Sequence, residues 1–364
     1  SKVFLLILLG MLSAFGPFVT DMYLPSLPAM ADYFSASLPM VQMGLTTSMI
    51  GLALGQIFFG PLSDKYGRRP LLLVSMLLFI VSTLFCLFAP DIYSFVTLRL
   101  IQGIAGAGGI VISRSVAIDK FSGKELAKML AVIGAINGVA PVAAPVIGGL
   151  LTGSVGWQGI FMILLFIGIL LGIGCIRFKE SLPAEKRSKT GVWATFRSFG
   201  IIVHNRRYML YVFQLAFAQG ILFAYIASSP FIIQQHYGFS PFAFSICFAV
   251  NAVAIGVAAA LSVKFRRTEN GTLTGCVGML VFAVLQMAAL YSGCGFWTYE
   301  LLMFALLFMM GLTFTASTTL AMDCERRYAG AASALLGALC FASGGIVSPL
   351  VGLGDILIST GVTF

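Results

Sequence analysis

The chain has 364 residues, 59% hydrophobic and only 10% charged, with a formal net charge of +9. A soluble domain carries roughly 25% charged residues, so this composition excludes an ordinary globular enzyme and indicates a polytopic membrane protein. Apolar runs of about 20 residues select helices over barrel strands, which would be about half that length.

Span 1 is predicted over residues 3–24, running outward. It continues into Asp21-Met22-Tyr23-Leu24-Pro25-Ser26-Leu27-Pro28, without the small-residue cleavage pattern of a removable signal peptide. Span 2, residues 40–62, returns. The turn that follows reads Gly60-Pro61-Leu62-Ser63-Asp64-Lys65-Tyr66-Gly67-Arg68-Arg69. A loop so short and basic is retained in the cytoplasm, which also places the amino terminus there.

Spans 3 to 6 are predicted at 70–89, 93–118, 127–151 and 159–176. Residues 177–207 form the longest polar stretch, with Lys179, Lys186, Arg187, Lys189, Arg197, Arg206 and Arg207. Its 193–199 part could lie as a short amphipathic helix on the membrane surface. Residues 1–178 therefore read as a first six-helix half, 179–207 as a cytoplasmic linker and 208–364 as a second half. Spans 7 to 11 are predicted at 208–233, 242–263, 272–291, 299–322 and 328–350. Residues 351–364 are too few for a full twelfth span.

The charge pattern supports this topology. Of the 22 Lys and Arg, all but Arg99 fall in predicted cytoplasmic segments or at cytoplasmic helix ends. That spread over short loops also argues against a nucleic-acid surface. The seven Cys show no metal spacing and read as buried thiols. His204 and His236 lie at predicted loops or helix ends, and no nucleophile–base pair stands out, so the chain does not read as an enzyme and no cofactor or metal is expected.

Two charges are predicted inside the membrane, Asp21 in span 1 and Arg99 about two turns into span 4. Such residues face the bundle interior and usually mark an ion or substrate route. A fixed Asp21–Arg99 bridge is the structural alternative. Burial works against the charged carboxylate, and a nearby guanidinium works for it. A carboxyl so balanced can be neutralised by a proton or by a cationic cargo, but not by both at once. Arg99, Gln102, Gly103, Gly106 and Ile110 share one face of span 4. Span 5 carries Pro141, Pro145, Gly148 and Gly149, and Pro145-Val146-Ile147-Gly148 is echoed by Pro349-Leu350-Val351-Gly352.

The Gly60–Arg69 turn resembles the loop 2–3 motif of the major facilitator superfamily. Arg99-x-x-Gln102-Gly103 resembles that family's span 4 motif. The span 5 pattern, with Ala144 where a Gly is usual, resembles the motif of its exporting, antiport branch. With the Asp21–Pro28 segment and Tyr225-Ile226-Ala227-Ser228-Ser229-Pro230, the chain looks like the Bcr/CflA-type (bicyclomycin/chloramphenicol resistance) drug:proton antiporters of bacterial inner membranes. The resemblance implies an all-α fold of 12 transmembrane helices in two six-helix halves, each built from inverted three-helix units. It implies multidrug efflux driven by inward proton flow, with alternating access. Gly60, Asp64, Arg68 and Asp119 would latch the cytoplasmic side, though Ile118 replaces an Arg usual in relatives. Asp21 and Arg99 would couple to protons. Gln102, Gln214, Phe217, Gln219, Tyr225 and Ser229 are the candidate cavity residues. The expected partners are a small-molecule drug, protons and membrane lipid, and the expected state is a monomer. Alternative readings are a nutrient symporter or facilitator on the same fold and, least favoured, a membrane sensor or scaffold.

Overall fold

The apolar runs fold as helices because only a helix satisfies its own backbone polar groups in hydrocarbon. The computed structural model describes residues 2–121, 123–187, 199–262, 264–265, 267–325 and 329–364, and every regular element among them is helical. The predicted surface helix at 193–199 lies almost entirely outside the described residues. The first spans are α1 (Lys2–Asp21), α2 (Leu38–Tyr66), α3 (Arg68–Leu87) and α4 (Ile92–Lys120). A single run, Gly123–Arg177, follows. At 55 residues it would be about 80 Å long as one helix, far more than one crossing needs. Gly156 breaks it into α5 (123–155) and α6 (157–177), with φ 66° and ψ −172°. Only glycine adopts that conformation readily. The separate loop expected between spans 5 and 6 is thus reduced to one residue.

After the polar segment come α7 (Arg206–Phe231), α8 (Pro241–Ser262), α9 (Thr268–Tyr291), α10 (Phe296–Cys324), α11 (Ala329–Leu350) and α12 (Ile356–Thr363). Nine described helical segments are long and apolar enough to cross a membrane, whereas α12 has only eight residues. Local chemistry sets several starts. Asp91 caps α4 by accepting from the Ser94 amide at 2.8 Å. Asn205 caps α7 through the Tyr208 amide.

The basic loops gather at one end, here the basic end, and the other loops at the far end. The two ends are packed differently. At the far end one hydrophobic cluster joins helices from both parts of the chain, including Tyr23, Leu27, Leu45, Phe95, Trp157, Phe231, Phe244 and Tyr299. Gln42 Nε2 donates to the Ala227 carbonyl at 3.0 Å, and Gln234 Nε2 to that of Pro25 at 3.1 Å, across the same seam. Toward the basic end the described residues form two separate clusters. One contains Leu9, Leu12, Phe15, Phe79 and Ile112. The other contains Ile202, Tyr208, Val212, Ala321 and Ala332. The far end is therefore sealed, whereas the described residues of the basic end form separate clusters.

Small residues set the closest helix approaches, as in membrane bundles generally. Along the α2–α4 seam a Cβ on Gly51 would overlap the Leu100 carbonyl, and one on Gly103 the Ser48 carbonyl. Between the two parts of the chain, Gly345 of α11 lies against Ile50 of α2. Gly103→Val should therefore cost about 1–3 kcal/mol through overpacking, seen as a lower melting temperature in detergent. Gly256→Ala, whose added Cβ meets nothing within 4 Å, should melt like the parent.

Candidate functional site

The α1 helix ends at Asp21, and the chain then turns through Met22 and Tyr23 into a short 3-10 helix, Leu24–Ser26. Asp21 is 7% exposed and its Oδ1 accepts from Thr20 Oγ1 at 2.8 Å. Arg99 is fully buried. No ion pair joins the two among the described residues. The guanidinium instead donates to the Val19 carbonyl at 3.1 Å, the Gly44 carbonyl at 3.3 Å and Gln102 Oε1. It lies 4.4 Å from the Tyr23 ring centroid and 5.7 Å from that of Phe161. The expected balance of opposite charges is replaced by a division of labour. Arg99 holds the backbone two residues before Asp21, and among the described residues Asp21 has no cation of its own.

Gln102 completes that network by donating to Thr83 Oγ1 at 2.7 Å. It is a buried strut between α3 and α4. The other candidate cavity residues all lie on α7, away from Gln102, with Tyr225 and Ser229 neighbours one turn apart. Tyr225 stacks on Phe248 at 5.6 Å and accepts from Asn251 Nδ2 at 3.0 Å. Ser229 is buried with an unpartnered hydroxyl. Gln219 Oε1 and both amide atoms of Gln214 are likewise buried without partners. Phe217 is 76% exposed, on a face with Leu210 and Phe213.

At the basic end Arg68 is buried and pairs with Asp119 at 3.0 Å and Asp64 at 2.5 Å. It also donates to Ser63 Oγ at 2.7 Å. Gly60 lies near Val111 of α4. Sequence reasoning missed a further member, Glu180. Its carboxylate accepts from the first amides of α3, those of Arg68 at 3.0 Å and Arg69 at 3.1 Å. These donors have no partner inside their own helix. Ser181 Oγ adds a bond to Asp119 at 3.0 Å. The start of the polar segment is thus tied into the cluster.

The span 5 motif acts through close approach on two sides. A Cβ on Gly148 would overlap the Met22 carbonyl just after Asp21, and one on Gly149 would overlap Ser245 of α8. Pro141 and Pro145 lie within the same helical run.

A further, half-buried acid, Glu300, lies at the far end of α10. Glu300 sits one turn after Phe296, close to a predicted span boundary, which is why the sequence reading passed over it. Its Oε1 accepts from Asn251 Nδ2 at 2.9 Å, and its Oε2 is buried without a partner. The expectation of only two intramembrane charges is corrected accordingly.

Comparison with known proteins agrees with this architecture. The family model of the Major Facilitator Superfamily matches residues 6–349. The chain is 39% identical over 97% of its length to the uncharacterized MFS-type transporter YdgK of Bacillus subtilis, covering 90% of that protein. It is 30% identical over 96% of its length to a bicyclomycin resistance protein homolog of Haemophilus influenzae, covering 89% of it. It is 26% identical over 93% of its length to a chloramphenicol resistance protein of Pseudomonas aeruginosa, covering 80% of it. Among solved structures, a bacterial homolog of the lysosomal transporter Spinster, in an inward-facing unoccupied conformation, superposes with a TM-score of 0.78 at 19% identity, over 97% of this chain and 82% of that one.

The Arg68 cluster yields a stability prediction. Asp119→Asn removes a largely buried partner and should cost on the order of 2 kcal/mol, below the 3–5 of a fully buried pair. Asp64→Asn removes a half-exposed one and should cost under about 1 kcal/mol. Melting curves of both variants in one detergent check the order.

Proposed function

The chain belongs to the major facilitator superfamily, and from that premise we propose that it is a secondary exporter of small amphipathic drugs or toxic metabolites, driven by inward proton flow. The observation that carries the reading is Asp21, a buried acid with no cationic partner among the described residues, at the end of a helix held by Arg99 beneath the sealed far end. The names of the bicyclomycin and chloramphenicol resistance relatives supply the cargo class. The basic end faces the cytoplasm by the positive-inside rule, the amino terminus lies on that side, and the membrane is the bacterial inner membrane. Residues 1–178 and 208–364 act as two bodies joined by the 179–207 linker, and the Arg68 cluster braces the first of them. The described arrangement, sealed far from the basic loops, is then the inward-open one.

In this scheme cargo and proton compete for one carboxylate. Cargo enters from the cytoplasm and displaces the proton, the seam at Gly148, Gly149 and Gly345 rocks, and the far end opens. Release outside lets a proton return. A membrane potential of 100 mV adds about 2.3 kcal/mol per inward proton. Gln219, Tyr225 and Ser229 of α7 offer polar contacts along the path, the latter two sealed in the present state. A Met- and Phe-rich lining suits varied apolar cargo.

Everted vesicles made acid inside and loaded with a pH dye provide the test. Adding bicyclomycin or chloramphenicol to the bath should drive protons out of the lumen. Asp21→Asn should abolish the signal with unchanged protein yield. Normal exchange by that variant removes Asp21 from the mechanism. Cargo and proton entering the same compartment together would mean symport.

A further inference from the structure

Glu300 and Asn251, which cluster with Tyr225, have no role in the scheme above. Asn251, fully buried on α8, gives one amide group to two acceptors, Tyr225 Oη at 3.0 Å and Glu300 Oε1 at 2.9 Å. Two further acceptors, Asn251 Oδ1 and Glu300 Oε2, are buried with no donor. Beside them Tyr299 is fully buried with an unpartnered hydroxyl. The titratable neighbours are Tyr225 on α7, Cys247 on α8 and Tyr299 on α10, with Tyr237, just after α7, packed on Tyr299 at 5.9 Å. No Lys, Arg or His comes within ion-pair distance of Glu300 among the described residues. No donor therefore reaches two of the cluster's acceptors, Asn251 Oδ1 and Glu300 Oε2.

We propose that Glu300 is a second proton-binding site, in the second half of the molecule and separate from Asp21. A proton taken up from water on the far side forms an O–H at Glu300 Oε2. That converts an orphaned acceptor into a donor, and leaves Oε1 as the carbonyl that Asn251 already serves. A metal cation fits poorly. Among the described residues no group of three or more His, Cys, Asp or Glu side chains gathers here or elsewhere. Hard cations ask for about six oxygens or more, and the cluster offers few free ones. Because Tyr225, Asn251 and Glu300 belong to three helices of the sealed end, occupancy by a proton changes the hydrogen-bond count where that end must open. The inference builds on the proton-driven reading, but its test does not depend on transport.

Infrared difference spectra of the purified protein between acid and alkaline buffer provide that test. The parent should show a protonated-carboxyl band in acid that disappears in alkali, in sodium-containing and sodium-free buffer alike. Glu300→Gln should lose this band, and Asp21→Asn should keep it. Asn251→Leu should keep the band but move it to higher frequency, because the carboxyl C=O loses its donor. An unchanged set of bands in Glu300→Gln would overturn the proposal. So would a band abolished by sodium alone, since it would mark a metal-ion site. A failed vesicle exchange with these bands intact would count against the export reading and not against this one.

Discussion

A guanidinium taken into a membrane interior brings five N–H donors and no acceptor, and it must find acceptors there. Arg99 finds them on three helices. It binds the Val19 carbonyl of α1, the Gly44 carbonyl of α2 and Gln102 on its own helix, and Gln102 passes the constraint to Thr83 of α3. Tyr23 and Phe161 lie against the same group. One side chain thus fixes where α1 ends, and so where Asp21 stands. The first half could lose any one surface ion pair with little effect. It could not lose this network without leaving buried carbonyls and a buried charge unsatisfied.

Around that fixed point the packing is asymmetric. The far end is a shared core of aromatic and aliphatic side chains with hydrogen bonds across the seam. Among the described residues the basic end has two separate cores. Glycines at the crossing points let helices of the two parts of the chain approach closely. Gly345 meets Ile50, and Gly149 meets Ser245. Gly148 touches the turn after Asp21, so α5 carries both the contact to that turn and the contact to α8. Only α5 thus separates the turn beside the carboxyl from α8 of the second half.

The architecture was largely legible from the sequence, because apolar length and basic-loop asymmetry report directly on membrane crossings. The Arg68 cluster was legible because its turn is local. Glu180 was not, since it reaches the start of α3 from a segment more than a hundred residues later. Position within the predicted spans placed Asp21 and Arg99 inside the membrane, but it says nothing about lateral direction, and the two side chains serve different partners. Gln102 was on the right helix face and turned out to face another helix. Phe217 shows the same limit, because an aromatic on a membrane helix has no sequence mark that separates cavity from periphery. Glu300 hid at a span boundary, where a charge is usually taken to be in water.

The central claim is that the Asp21 carboxyl holds either a proton or cargo. It is tested most directly by proton release from the purified protein in weakly buffered detergent solution, read with a pH indicator while cargo that passes the vesicle assay is added. The account predicts acidification that saturates with cargo binding and is absent in Asp21→Asn. Saturable cargo binding with no proton release by the parent protein would contradict it.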